Sequence, residues 1–314
     1  MDENKTGDSR KRRVRAVPRL ESLEGRQLMA ANAQVGIKEV LNQGVLDLII
    51  TGTNKADVIQ ISDNGTNLAG NITIALGGGR TYTSTGAVGM IEVLGKGGVD
   101  QINYDLTGNL LAARTVLVDL GSGNDAFTAN LTGAIATADG LDLEAYGGTG
   151  NDRMTINQTG WMMAGTVLPF LEGDSGNDTL TYNGSGVVGP GTTVLPGLSG
   201  GAGNDKIQSK FAGVIAGNYI YNLTIDGGAG NDVISNDIRV MAGSPGTVGT
   251  DATTPAVVLG GAGNDKISYS LAVDPGAAPL AVNAVAVGGA GKDIVQHTGN
   301  VLGDPSNEKD SLVS

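Results

Sequence analysis

One six-residue string recurs through this chain and restricts the folds open to it. Gly200-Gly201-Ala202-Gly203-Asn204-Asp205 returns as Gly227-Gly228-Ala229-Gly230-Asn231-Asp232 and as Gly260-Gly261-Ala262-Gly263-Asn264-Asp265. A near copy is Gly147-Gly148-Thr149-Gly150-Asn151-Asp152, and altered copies end at Asp125, Asp178 and Asp293. A weaker copy ends at Asp100 and a marginal one at Asp57. From Asp100 to Asp293 the closing aspartates are 25, 27, 26, 27, 27, 33 and 28 residues apart. A fixed period of this size marks a repeat architecture in which each unit stacks on the next. The long interval marks an insertion near Ser244 to Pro255. The 43 residues from Asp57 to Asp100 do not fit one coil.

Strand-like sequence flanks each loop. Two residues after the aspartate stands an apolar residue: Ile102, Phe127, Met154, Leu180, Ile207, Ile234, Ile267 and Val295. Polar residues such as Thr128, Thr155, Thr181, Gln208, Ser235 and Ser268 follow them, which is the period-two pattern of a strand with one buried face. Before the loop lies a second strand, as in Thr115-Val116-Leu117-Val118 and Ala256-Val257-Val258-Leu259. A single coil cannot bury its own apolar face, so neighbouring coils must supply the core.

Composition narrows the function. Net charge is −12, yet residues 1–30 hold eight Lys or Arg against five Asp or Glu, so the remaining chain carries −15. An acidic body is a poor match for nucleic acid, whose phosphates want a basic face. There is no Cys and one His, His297, so thiolate sites and sites built on several imidazoles are both excluded. No apolar run is long enough to span a membrane. The sequence shows no phosphate loop and no zinc-protease motif. A Ser-His-Asp triad could use only His297, which sits in a strand pattern. Lys206, Lys210, Lys266 and Lys292 read as solvated charges at loop ends. Trp161 with Met162-Met163 interrupts one coil and reads as core or a local cap.

The loops resemble the glycine-rich nonapeptide of the RTX, or haemolysin-type, calcium-binding proteins, whose pattern is Gly-Gly-x-Gly-x-Asp-x-apolar-x. Leu259 to Ser268 matches it closely, and the resemblance covers about residues 95–296. It implies calcium held between successive loops by aspartate carboxylates and loop carbonyls. The implied metal residues are Asp125, Asp152, Asp178, Asp205, Asp232, Asp265 and Asp293, with Gly148, Gly150, Gly201, Gly203, Gly228, Gly230, Gly261 and Gly263. Calcium takes six to eight oxygens, and glycine lets backbone carbonyls turn toward one point. Gly, Asn and Asp also make plain turns, so a metal-free solenoid stays open.

The copies depart from the family in places. Asp174 replaces the second Gly before Asp178, Leu120 replaces the first Gly before Asp125, Lys292 replaces Asn in the last loop, and Gly95-Lys96-Gly97-Gly98-Val99 precedes Asp100. The family's repeats run in tandem, whereas here one motif stands in each coil. The expectation is therefore an all-β fold: a right-handed parallel β-solenoid of about 27 residues per coil, three-sided, with one calcium ladder along one edge.

Arg19 to Met29 is similar to the LEPR-XLL segment that opens many large repeat-bearing surface proteins of planctomycetes. Leu23, Glu24, Arg26 and Leu28 match, and Gly25 and Met29 depart. Basic residues precede it as in an export signal, without an apolar stretch. The expected organisation is a disordered export segment over 1–33, an N-terminal β region and cap over 34–94, the solenoid over 95–300 and a disordered tail over 301–314. The expected function is a calcium-binding structural or adhesive solenoid, extracellular or on the cell surface, and not an enzyme. Surface polysaccharide or another surface protein is its expected contact. The alternatives are a parallel β-helix enzyme acting on polysaccharide and a metal-free structural solenoid.

Overall fold

The structure, a computed structural model, describes residues 34–189, 192–216, 220–241, 247–248, 256–274, 284–299, 302–303 and 311–312. The LEPR-XLL-like segment, most of the 301–314 tail and nearly all of the Ser244–Pro255 insertion lie outside the described residues. Every regular element among the described residues is a β-strand. No helix there is long and apolar enough to cross a membrane.

The strands form two long, mainly parallel sheets that face each other across a narrow core. One sheet runs through Val88–Leu94, Arg114–Asp119, Leu141–Tyr146, Gly165–Glu172, Gly197–Ser199, Thr224–Asp226, Ala256–Ala262 and Ala284–Ala290. The other runs through Val58–Asp63, Gln101–Leu106, Ala126–Leu131, Arg153–Gln158, Thr179–Val188, Lys206–Ile215, Val233–Val240, Lys266–Val273 and Ile294–Gly299. Each coil takes one strand from the first sheet, passes through a Gly-Asn-Asp loop and continues as a strand of the second. This is the β-solenoid expected from the aspartate spacing, with coils of about 27 residues.

The alternation sets which residues face inward. In Arg153–Gln158, Met154, Ile156 and Gln158 are buried while Thr155 and Asn157 face outward. Its register matches its neighbours, so Phe127, Met154, Leu180, Ile207, Ile234, Ile267 and Val295 form one continuous buried column. Burying each such side chain stabilises the coil by about 1.5–3 kcal/mol. In-register columns carry that contribution from coil to coil, which is why stacking, not any single coil, makes the core.

Two features add detail to the sequence expectation. The third side is narrow: it carries the single bridges Leu110↔Ile135, Ile135↔Met162 and Met162↔Val188, and Val188 then pairs with Ile215 at the end of the longer strands. Repeated Thr-Gly corners (Thr107-Gly108, Thr132-Gly133 and Thr159-Gly160) turn the chain there, and one residue per coil is too little to make a strand. The parallel stacking also begins before residue 95, since Val45–Thr51 already pairs in parallel with Val88–Leu94. Antiparallel strands finish the N-terminal end: Gly36–Asn42 on Val45–Thr51, and the hairpin Ile72–Leu76/Arg80–Thr83 on Val58–Asp63. That hairpin accounts for the long gap between Asp57 and Asp100.

Candidate metal-binding edge

The loops stack so closely that their backbones leave almost no room for side chains. In the Asp205 loop, Gly201 has φ +92° and Gly203 has φ +141°, both in the region that L-residues avoid. A β-carbon on Gly203 would overlap the carbonyl oxygen of Gly176 in the previous coil. Thr149, Ser175, Ala202, Ala229 and Ala262 bridge in parallel from loop to loop. Asp174 takes a positive φ (64°) in a glycine's place, and its Oδ2 accepts the Gly148 N–H at 3.2 Å.

This stacking brings every predicted aspartate into one file. The backbone N–H of each donates to Oδ1 of the next: Asp125 to Asp152 (2.7 Å), Asp152 to Asp178 (2.6 Å), Asp178 to Asp205 (2.7 Å) and Asp205 to Asp232 (2.7 Å). Asp232 continues to Asp265 (2.8 Å) and Asp265 to Asp293 (2.9 Å). Asp100 donates to Asp125 (2.6 Å), and Asp57, the marginal copy, starts the file by donating to Asp100 (2.8 Å). The asparagines run the opposite way. The N–H of each donates to the side-chain oxygen of its partner in the coil before, as Asn204 does to Asn177 Oδ1 (2.7 Å) and Asn231 to Asn204 Oδ1 (2.8 Å). Adjacent side chains in one loop thus tie it to both neighbours.

The second carboxylate oxygen is different. Oδ2 of Asp100, Asp125, Asp152, Asp178, Asp205, Asp232 and Asp265 is buried without a hydrogen-bond partner. Where the loop opens on glycine, this oxygen closes on that residue, while Leu120 holds the position in the Asp125 loop. A β-carbon on Gly147 would lie 2.7 Å from Asp152 Oδ2 and 2.6 Å from the Gly173 carbonyl oxygen of the next coil. At Gly173 both distances are 2.5 Å, to Asp178 Oδ2 and Gly200 O. In these two loops a side chain larger than hydrogen would meet both oxygens, although the φ of Gly147 and Gly173 is not positive.

Burial disfavours the charged form of these groups. It pushes Asp178 up to about 7, with the carboxylates of Asp152, Asp205 and Asp174 adding to the rise and the Asp152 N–H opposing it. Asp152 and Asp232 are pushed up to about 6 in the same way. Asp125, Asp205 and Asp265 are also raised by burial.

The donor chemistry fits a hard divalent cation. The unpartnered atoms are carboxylate oxygens, and those of Asp152, Asp178, Asp205, Asp232 and Asp265 share their glycine neighbour with a backbone carbonyl oxygen of the next coil. The carboxylates are strung one per coil: no group of three or more acidic or His side chains gathers around one point among the described residues. An ion here would draw on Asp152, Asp178, Asp205, Asp232 and Asp265 together with loop carbonyls, and would supply charge neutralisation between coils.

Three other sequence expectations have a place in the fold. His297 is buried on strand Ile294–Gly299. Met162 is core, while Trp161 and Met163 are exposed on the corner. Lys206, Lys210, Lys266 and Lys292 are exposed. Sequence reasoning missed a buried cluster at the N-terminal end. Asp63 Oδ2 accepts from Arg114 Nε at 2.7 Å and from the Tyr104 hydroxyl at 2.9 Å, with all three side chains fully buried. The phase of Val116 and Val118 did contain the signal, since it places Arg114 on the inward face. Compared with models of protein families, with curated proteins and with solved structures, the chain matches none.

Proposed function

We propose that this chain is a structural solenoid of an extracellular or cell-surface protein whose loop edge takes up calcium. The observation that carries this reading is the unpartnered second oxygen on seven successive ladder aspartates. Unpaired buried carboxylates repel one another along the file and lack hydration, and a divalent cation offsets both. The acidic body and the oxygen-only donors agree with a hard cation. The exposed outer faces of the two sheets are then the surfaces open to polysaccharide or protein contact, and the reading assigns no catalysis.

A second reading is a metal-free solenoid. The Oδ1 ladder favours it, because each aspartate already has a structural task in binding the backbone of the coil before it. Melting followed by circular dichroism separates the two. Calcium that binds only the folded chain raises the melting temperature with concentration. Identical melting in chelator and in millimolar calcium would leave the metal-free reading standing alone.

A further inference from the structure

The core changes character halfway along the solenoid. One inward column reads Ile61, Tyr104, Ala129 and Ile156 in the early coils and Tyr182, Ser209, Asn236, Tyr269 and His297 in the later ones. In the early part its one polar atom is satisfied, since the Tyr104 hydroxyl donates to Asp63. In the later part the pattern is opposite. Both amide atoms of Gln158, the hydroxyls of Tyr182, Ser209, Tyr221 and Tyr269, and both amide atoms of Asn236 are buried without a hydrogen-bond partner. Each of these six side chains is at most 1% exposed.

Most of these atoms follow one another along successive coils. Gln158, Gly184 and Phe211 are consecutive in register, and Tyr182 precedes Gly184 by two on the same face. A β-carbon on Gly184 would lie 2.9 Å from the Tyr182 hydroxyl. The Tyr182 side chain and the Phe211 ring therefore share the space over Gly184, the position in register with Gln158. Tyr221 comes from the opposite side, with its ring stacked on Phe211 at 4.4 Å. Ser209 lies beside the Tyr221 hydroxyl and Asn236 beside that of Tyr269, in each case outside hydrogen-bond geometry.

A buried donor or acceptor left unsatisfied is destabilising, and eight together would take up much of the narrow margin by which a folded chain is stable. In the early coils three of the four residues of this column, Ile61, Ala129 and Ile156, are apolar. The six polar side chains are neutral and present donors and acceptors in mixed order, which suits water and not an ion. Buried waters bind where a site is polar and has room, each meeting two to four protein groups. Ser209 is the small side chain in the later part of this column.

We infer that the C-terminal half of the solenoid encloses a file of ordered water molecules, bound by Gln158, Tyr182, Ser209, Tyr221, Asn236 and Tyr269. The test uses the full chain. A crystal structure at atomic resolution is expected to show discrete water density bridging at least Gln158, Tyr182 and Ser209, and further water between Tyr221, Asn236 and Tyr269. In solution, the amides of Ser209 and Asn236 are expected to show cross-peaks to long-lived water, and those of Ala129 and Ile156 to show none. Direct hydrogen bonds among the six side chains with no density between them overturn the inference. So do water cross-peaks that are absent from both halves, or density that fits an organic molecule.

Discussion

The backbone N–H of Asp178 donates to Oδ1 of Asp205 at 2.7 Å, while Oδ2 of Asp205 is buried without a partner. One carboxylate thus has two oxygens in opposite circumstances, and the two can be separated by substitution. Asp205→Asn keeps an acceptor for the Asp178 N–H and removes the charge. Asp205→Ala leaves that buried N–H unpaired, at a cost of about 1–3 kcal/mol. In chelator, urea unfolding is expected to place Asp205→Asn within about 1 kcal/mol of the parent and Asp205→Ala clearly below it. Equal losses would mean that the ladder bond contributes nothing.

Gly203→Ala is expected to be among the most damaging small substitutions. The residue has φ +141°, and its β-carbon would overlap Gly176 O. Backbone strain and loop displacement together give a loss of about 2–4 kcal/mol. Gly78→Ala is the control: its φ is +85°, yet no atom lies within 4 Å of the added carbon. It is expected to lose about 1–2 kcal/mol from backbone conformation alone. Thermal unfolding of the two variants measures the difference, which isolates the close approach of the loops.

The Arg114–Asp63 pair sits inside the apolar core, and removing one partner strands the other. Arg114→Met is expected to cost about 3–5 kcal/mol. The double variant Arg114→Met/Asp63→Leu is expected to lose less than the two single losses added together, because no buried charge then remains unpaired. A double-mutant cycle by urea denaturation reads this directly, and additive losses would contradict it.

Metal-free stability should depend on pH in an unusual direction. Asp178 is pushed up to about 7 and Asp152 and Asp232 to about 6 by burial, against about 3.9 in an unfolded chain. The folded ladder therefore holds more protons than the unfolded chain between these values. Its contribution is fully present below about pH 4 and is lost as pH rises through 6 to 7. The melting temperature in metal-free buffer is expected to fall from pH 4.5 to pH 8. Asp152→Asn/Asp178→Asn is expected to flatten that slope.

Much of the fold was legible because the repeat made it so. The aspartate spacing gave the coil length, and the apolar residue two positions later gave the inward column from Ile102 to Val295. The spacing alone could not place Asp57, because the Ile72–Leu76/Arg80–Thr83 hairpin lengthens that coil without displacing the aspartate from the file. Nor could it reveal the two circumstances of each carboxylate, which depend on contacts between residues about one coil apart. Coil length alone does not say whether the third side is a short strand or a Thr-Gly corner carrying one bridge. Arg114 is in phase with Val116 and Val118, and that phase, not its charge, marks it as inward-facing.

Equilibrium dialysis of calcium against the full chain, with Asp205→Asn alongside, tests the proposed loop edge most directly. The account predicts saturable uptake of several calcium ions per chain at millimolar or lower concentration, and fewer ions bound by Asp205→Asn while its fold is retained. No uptake by the parent chain, or the same uptake by both proteins, would contradict it.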